Sequence, residues 1–228
     1  MKRIAIRHLS GEYAVIIGAG VLDAPLLPEL AGQRPALIVT DEHLASHWLD
    51  HLRRRLPAAA TLVLPAGEAA KTLQTVERIW SMLAKQGFGR DAVLVALGGG
   101  VIGDLTGYAA ACWMRGVDVI QVPTSLLAQV DASIGGKTGV DLPAGKNLVG
   151  AFHQPRAVLI DTRVLETLPQ REYSAGLAEI VKAALLADAG FLDWLEGNAD
   201  ALRARDGTAI EYAIHRSCEI KAAFVMTD

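Results

Sequence analysis

Short apolar runs of strand length alternate with helix-length stretches through most of the 228-residue chain, and that alternation leaves few folds open. Residues 4–6, 13–17, 36–40, 61–64, 91–97, 117–122 and 157–160 read as strands. Between them, residues 41–56 and 71–86 carry helical patterns, the second with Leu73, Val76, Ile79, Trp80 and Leu83 on one face. Strands that alternate with helices are joined by crossovers, and crossovers make neighbouring strands parallel. The expected fold is therefore α/β, a Rossmann-like, mostly parallel sheet with helices on both faces. Its core would be aliphatic, since hydrophobic residues make up 51% of the chain and aromatics only 5%.

After Pro169 the pattern changes. Residues 174–186, 190–196 and 210–225 are helical in period, with no strand signal between them. The reading is a Rossmann-like domain over residues 1–170 and an all-helical domain beginning at residues 171–228. The helical part is short for enclosing a core of its own, and no capping glycine closes its last helix. It is read as incomplete, with the natural protein expected to continue.

The 22 basic and 25 acidic residues give a formal net charge of −3, and no Lys/Arg block marks a nucleic-acid or membrane surface. Cys112 and Cys218 form neither a CxxC pair nor a disulfide framework, which fits a reducing compartment. No signal-peptide core or membrane-length apolar run is present, so the expected location is the cytoplasm.

Two segments carry chemistry. The first is the glycine-rich turn at residues 98–104, which follows a buried strand and opens a helix through about Met114. Such a turn lets backbone approach a phosphate at a helix N-terminus, where N–H groups are unpaired. Tight packing of helix on sheet explains the same glycines, and no carboxylate closes the next strand as the dinucleotide fingerprint would ask. The second is the polar segment from Pro123 to Asn147. Glycines at 135, 136, 139 and 145 flank Lys137, Lys146 and Asn147, an arrangement suited to holding phosphate or carboxylate. Asp131 could accept hydrogen bonds from a hydroxyl-rich ligand. A solvated Lys/Gly loop is the plain alternative.

At this point a resemblance becomes specific. Residues 98–104, 114–116, 121–137 and 145–152 resemble the signature blocks of the 3-dehydroquinate synthases, within the sugar phosphate cyclase superfamily. Residues 65–73, 165–169, 176–182 and 217–222 agree with further blocks, in the family's order and spacing. The resemblance implies NAD as cofactor. Asp41 would hold its adenosine end, and Glu68 and Lys71 its ribose side. Gly99, Gly100 and Asp104, with Val101 and Gly103 in the same turn, would meet the pyrophosphate. Thr124, Ser125, Leu165 and Thr167 would line the rest, with Lys137 and Lys146 shared between cofactor and substrate. Ser125 stands where the family commonly has threonine and keeps the hydroxyl.

For the substrate, an anionic sugar acid phosphate, the resemblance implies Arg115, Asp131, Lys137, Lys146, Asn147, Lys182 and Lys221. Arg115 would serve a neighbouring subunit, so a homodimer is implied. Glu179 and Lys182 share one helical face, opposite Leu177, Ile180, Val181 and Leu185, which are expected to face a core; in an arbitrary protein they are a surface pair. Here the block resembles the family's zinc-ligand helix, with Glu179 as the carboxylate ligand and zinc or cobalt as the metal. The other two ligands are histidines of motifs beyond residue 228. His43, His47 and His51 fall at i, i+4, i+8 on one helix, but an exposed helix face is the better reading than a metal site. Only one of three metal ligands is thus expected in this chain, which by itself is expected to be inactive.

The activity implied is conversion of 3-deoxy-D-arabino-heptulosonate 7-phosphate to 3-dehydroquinate and phosphate, in the shikimate pathway to aromatic amino acids. Rival readings are a sister cyclase making an inosose or valiolone, a metal-dependent polyol dehydrogenase, and an NAD-binding module without catalysis. Lys221 and the Lys146-Asn147 pair favour an acid substrate, and the block at residues 129–137 argues against the dehydrogenase.

Overall fold

The computed structural model describes residues 1–9 and 11–227. Its first half comprises β1 (Lys2–His8), β2 (Gly11–Gly18), α1 (Leu26–Ala31) and β3 (Ala36–Asp41). Next come α2 (Glu42–Leu44), a π-helical turn (Ala45–Leu49), α3 (Asp50–Arg55), β4 (Ala60–Leu64) and α4 (Leu73–Lys85). Then β5 (Val93–Gly98), α5 (Gly100–Cys112) and β6 (Asp118–Pro123) are followed by a hairpin of β7 (Lys137–Leu142) and β8 (Gly145–Phe152). The chain finishes with β9 (Ala157–Asp161), α6 (Gln170–Ala187), α7 (Ala189–Gly197), α8 (Ala199–Arg203) and α9 (Gly207–Thr227).

Seven strands form one sheet in the order β1-β2-β9-β6-β5-β3-β4. The β1–β2 pair is antiparallel and every other neighbour is parallel. Successive side chains of a strand point to opposite faces, so both faces here must be apolar. In β5, Val93, Val95 and Leu97 join one core, while Leu94 and Ala96 join the other. The second core is closed by α4 and α5. Thr72 caps α4 by accepting the Thr75 N–H, and Val76, Ile79 and Leu83 are buried beneath it. Burying one such aliphatic side chain contributes roughly 1.5–3 kcal/mol.

The first core collects α1, α3 and the helices after Pro169. Tyr173, Ile180, Phe191, Ile210 and Ile214 share it with Ile6, Tyr13 and Ile160, so one apolar interior runs across residue 170. The face of α6 turned inward carries Tyr173, Gly176, Ile180 and Ala184. This corrects the expectation for Val181 and Leu185, which are exposed. The helix falls a fraction of a turn from the simplest apolar stripe because Gly176 must lie flat against Leu126.

Other differences are local. Lys71 precedes α4 instead of opening it, because Thr72 takes the cap and residues 68–70 form a separate turn. The π-helical turn interrupts the spacing of the histidine row, and His51 pairs with Asp23 at 3.1 Å. The polar segment ends as a hairpin, not an open loop. Glycines serve packing around it: a Cβ on Gly139 would stand 2.6 Å from the Val149 carbonyl, one on Gly150 2.0 Å from the Thr138 carbonyl, and one on Gly107 of α5 2.4 Å from Thr138. Bare backbone lets the two strands approach each other, and lets β7 cross α5, this closely.

Candidate nucleotide and sugar-phosphate site

In an open parallel sheet, ligands bind beyond the carboxyl ends of strands where successive connections diverge. Here the chain leaves β3 outward to β4 and leaves β5 in the other direction to β6, so the divergence lies between β3 and β5. Asp41 ends β3 and the glycine turn ends β5. The Oδ1 of Asp41 accepts the His43 and Leu44 N–H groups at 2.9 and 3.0 Å, capping α2. No side chain caps α5, whose first residues follow Gly99 in extended conformation. Its opening N–H groups and the positive end of its dipole face the crevice. Gly103 lies in the first turn, its N–H donating to the Gly99 carbonyl at 3.0 Å.

One polar cluster closes the side toward α4. Lys71 is 7% exposed at its side chain; its Nζ lies 2.5 Å from Asp104 Oδ2 and donates to Asn147 Oδ1 at 2.6 Å. Burial raises the Asp104 pKa above the usual carboxylate value; Lys71 pulls it back down, while Glu68 and Asp141 add to the rise. Lys146 Nζ reaches Glu68 Oε1 at 2.8 Å, and that hydrogen bond raises the lysine's pKa. Asp141 accepts the Asn147 N–H at 2.8 Å and donates its own N–H to the Lys71 carbonyl at 2.8 Å.

A second cluster lies on the other side of the turn. Asp131, on a π-helical turn (Ala128–Ala132), pairs with Lys221 of α9 at 2.5 Å. Lys182 pairs with Glu179 on α6, and this partner raises its pKa, with Asp131 a smaller contributor. The glycine turn joins the clusters: a Cβ on Gly99 would meet Ser125 Oγ at 3.4 Å, and one on Gly100 would meet Ala132 at 3.5 Å. Thr124 is buried and its N–H donates to the Gly98 carbonyl at 3.0 Å.

Glu68, Lys71, Asp104, Lys146 and Asn147 are thus brought together on one side, and Asp131, Glu179, Lys182 and Lys221 on the other. Lys137 is exposed at the base of the hairpin, with no ion pair among the described residues. Leu165 is buried and its carbonyl receives Arg205 at 2.6 Å, while Thr167 Oγ1 donates to Val164. Arg115 is exposed past the far end of α5, which at ~1.5 Å per residue puts it roughly 20 Å from the glycine turn. Met114 and Arg115 both take left-handed backbone angles there. Among the described residues, no group of three His, Cys, Asp or Glu side chains gathers as a metal site.

The turn suits a dinucleotide: uncapped N–H groups open α5, and Asp41 ends the adjacent strand β3. Comparison with known proteins bears on this directly. Residues 61–175 match the 3-dehydroquinate synthase N-terminal family, and residues 176–228 match the 3-dehydroquinate synthase C-terminal family. The chain belongs to the 3-dehydroquinate synthase family. A 3-dehydroquinate synthase from Pseudomonas fluorescens (strain Pf0-1) is 53% identical over 221 residues, covering 95% of this chain and 60% of that one. One from Halorhodospira halophila is 51% identical over 217 residues, covering 95% and 61%. The chain therefore spans about three fifths of the length of these 3-dehydroquinate synthases.

Among solved structures, 2-deoxy-scyllo-inosose synthase complexed with carbaglucose-6-phosphate, NAD+ and Co2+ superposes with a TM-score of 0.88 at 27% identity, covering 99% of this chain and 62% of that one. A 2-epi-5-epi-valiolone synthase from Streptomyces hygroscopicus with NAD+ and Zn2+ gives 0.85 at 33%, covering 96% and 62%. An iron-containing alcohol dehydrogenase from Thermotoga maritima gives 0.71 at 18% identity, covering 93% and 67%, a likeness of fold alone. Sequence reasoning missed Asp141 and the hairpin that carries it. The signal was available in the alternation of residues 137–142 about a Pro-Ala-Gly turn, but glycines on both strands masked it.

Proposed function

We propose that the chain supplies the NAD-binding half and part of the substrate surface of an enzyme converting 3-deoxy-D-arabino-heptulosonate 7-phosphate to 3-dehydroquinate and phosphate. The observation that carries this reading is the uncapped glycine turn at the sheet's divergence point, flanked by two clusters of lysines and carboxylates, in a member of this family. Relatives solved with NAD+ and a sugar-phosphate analogue support it.

The α5 N-terminus, through residues 99–104, takes the pyrophosphate, and Asp41, Glu68 and Lys71 take the ribose and adenosine end. Thr124, Ser125, Leu165 and Thr167 line the remainder. NAD held there would supply reversible hydride acceptance at a ring carbinol, with no net consumption of the cofactor. Lys137, Lys146, Asn147, Lys182 and Lys221 hold the phosphate and carboxylate in one geometry, which lowers the cost of charge developing during elimination. Lys182 keeps its proton under Glu179, and Asp131 accepts from a substrate hydroxyl. The exposure of Arg115, away from its own crevice, supports a homodimer in which it serves the neighbouring copy.

Among the described residues no metal centre is gathered, and Glu179 is paired with Lys182. A zinc or cobalt site would need two ligands from the two fifths of the family's length outside this chain. We place that segment in a helical lobe beginning near residue 171, in a cytoplasmic enzyme, with no nucleic-acid or membrane partner.

Calorimetric titration with NAD+ tests the first part. A version extended to the family's full length, given the heptulosonate phosphate, should release phosphate with no net NADH; steady accumulation of NADH would overturn the reading. The sister cyclases superpose well, but identities of 26–33% against 46–54% for the 3-dehydroquinate synthases favour the acid substrate. Turnover of neutral heptulose phosphates would reverse that preference.

A further inference from the structure

We propose that Asp141 is a positioning residue for the nucleotide cradle, a role that rests on reading this crevice as the NAD site. The hairpin ladder is irregular at this point. Val140 pairs with Val149 and Leu142 with Gly145, so residues 146–148 of β8 oppose Asp141 alone. Within this excess backbone Asn147 takes a left-handed conformation with φ of 55°. A non-glycine residue is held there only when its surroundings fix it. Asp141 does so, its Oδ1 accepting the Asn147 N–H at 2.8 Å where no ladder partner remains.

That bond has a directed consequence. It aims Asn147 Oδ1 at Lys71 Nζ, 2.6 Å away, and Lys71 in turn lies 2.5 Å from Asp104, one turn into α5. The Asp141 N–H meanwhile holds the Lys71 carbonyl at 2.8 Å. One residue thus fixes both the backbone and, through Asn147, the ammonium of Lys71. Asp141 acts through these neighbours and not on the ligand itself. The irregular ladder is what frees it: in a regular hairpin its carboxylate would project from the outer face.

Calorimetric titration of NAD+ into the intact chain tests this with Asp141→Ala, Asp141→Asn, Asn147→Ala and the double Ala variant. Loss of one such hydrogen bond should weaken binding about three- to tenfold in Asp141→Ala. Asp141→Asn, whose amide oxygen still accepts from Asn147, should bind within about twofold of the parent. In the Asn147→Ala background, removing Asp141 should add less than about twofold, because there is nothing left to aim. Additive losses, or an Asn variant as weak as the Ala variant, would show a merely structural part and overturn the proposal. Unchanged binding in Asp141→Ala would overturn it as well. If the parent chain takes no NAD+, the nucleotide reading itself fails and this role fails with it. Melting curves accompany each variant; should Asp141→Ala not fold, Asp141→Ser is titrated in its place against the same outcomes.

Discussion

Replacing Lys71 by methionine keeps the length of the side chain and removes its charge from a pair that is largely shielded from water. Lys71 and Asp104 are 7% and 20% exposed at their side chains. Breaking a buried pair by deleting one partner costs about 3–5 kcal/mol, because the other charge is left uncompensated. Asp104 keeps some contact with solvent, so the lower end, about 3 kcal/mol, applies. In a chain of this size each kcal/mol lowers the melting temperature by about 2–4 °C, so the expected fall is about 6–12 °C near neutral pH. The pH dependence has a definite sign. The Asp104 pKa is raised, so its contribution to stability is fully present below the ordinary value of 3.8 and is lost as pH rises through its folded value. Without Lys71, with Glu68 and Asp141 still nearby, that window widens upward. Circular-dichroism melts from roughly pH 4 to pH 8 should show a small defect in acid that grows toward neutrality. Adding Asp104→Asn should recover most of the loss. A fall under about 2 °C, a loss independent of pH, or no recovery in the double variant would refute the argument.

Asp161 is fully buried and accepts the Gly20, Leu22 and Arg163 N–H groups together with the Arg163 guanidinium. Burial pushes its pKa up, but Arg163 and the three N–H groups outweigh this and hold it below the usual range, so its contribution is present above 3.8 and is lost as pH falls through the folded value. Asp161→Ala should cost about 3 kcal/mol or more and flatten the acid limb of a pH-stability curve; an unchanged acid limb would count against it. Gly176→Val would push a Cβ to 2.4 Å from that of Leu126 and 2.8 Å from the Leu127 nitrogen, so the urea midpoint should drop by the equivalent of about 1–3 kcal/mol with an unaltered slope. Zinc salts should leave the melting temperature of this chain unmoved, and a saturable rise that Glu179→Gln abolishes would mean that the chain completes a site unaided.

Much of this was visible in the residues. The seven sheet strands stand out because each is a short aliphatic run bounded by turn residues, and buried parallel strands need that composition on both faces. The glycine turn at residues 98–100 was readable for the same reason, since it interrupts β5 where the chain must reverse. The hairpin was not. Lys137, Gly139 and Asp141 on one strand and Gly145, Lys146 and Gly150 on the other carry little β propensity, and what holds them is contact with α5, a tertiary effect invisible to local pattern. Asp141 was lost along with it. The inward face of α6 was misjudged because Gly176, which contributes no apolar side chain, defines it by close approach to Leu126. Of the histidines, His51 pairs with Asp23 and His153 with the Val117 carbonyl.

The packing of α9 against β1 and β2 has a consequence for the order in which a ribosome delivers the fold. The strands at the sheet's antiparallel edge emerge first, yet the helix that covers them comes some two hundred residues later. At synthesis rates of about 5–20 residues per second, Ile6 and Tyr13 wait roughly ten seconds or longer before Ile214 and Cys218 arrive to shield them. Through that interval the nascent edge is an adhesive surface, so chaperone demand during translation should fall on this edge rather than on the glycine turn, whose neighbours are close in sequence.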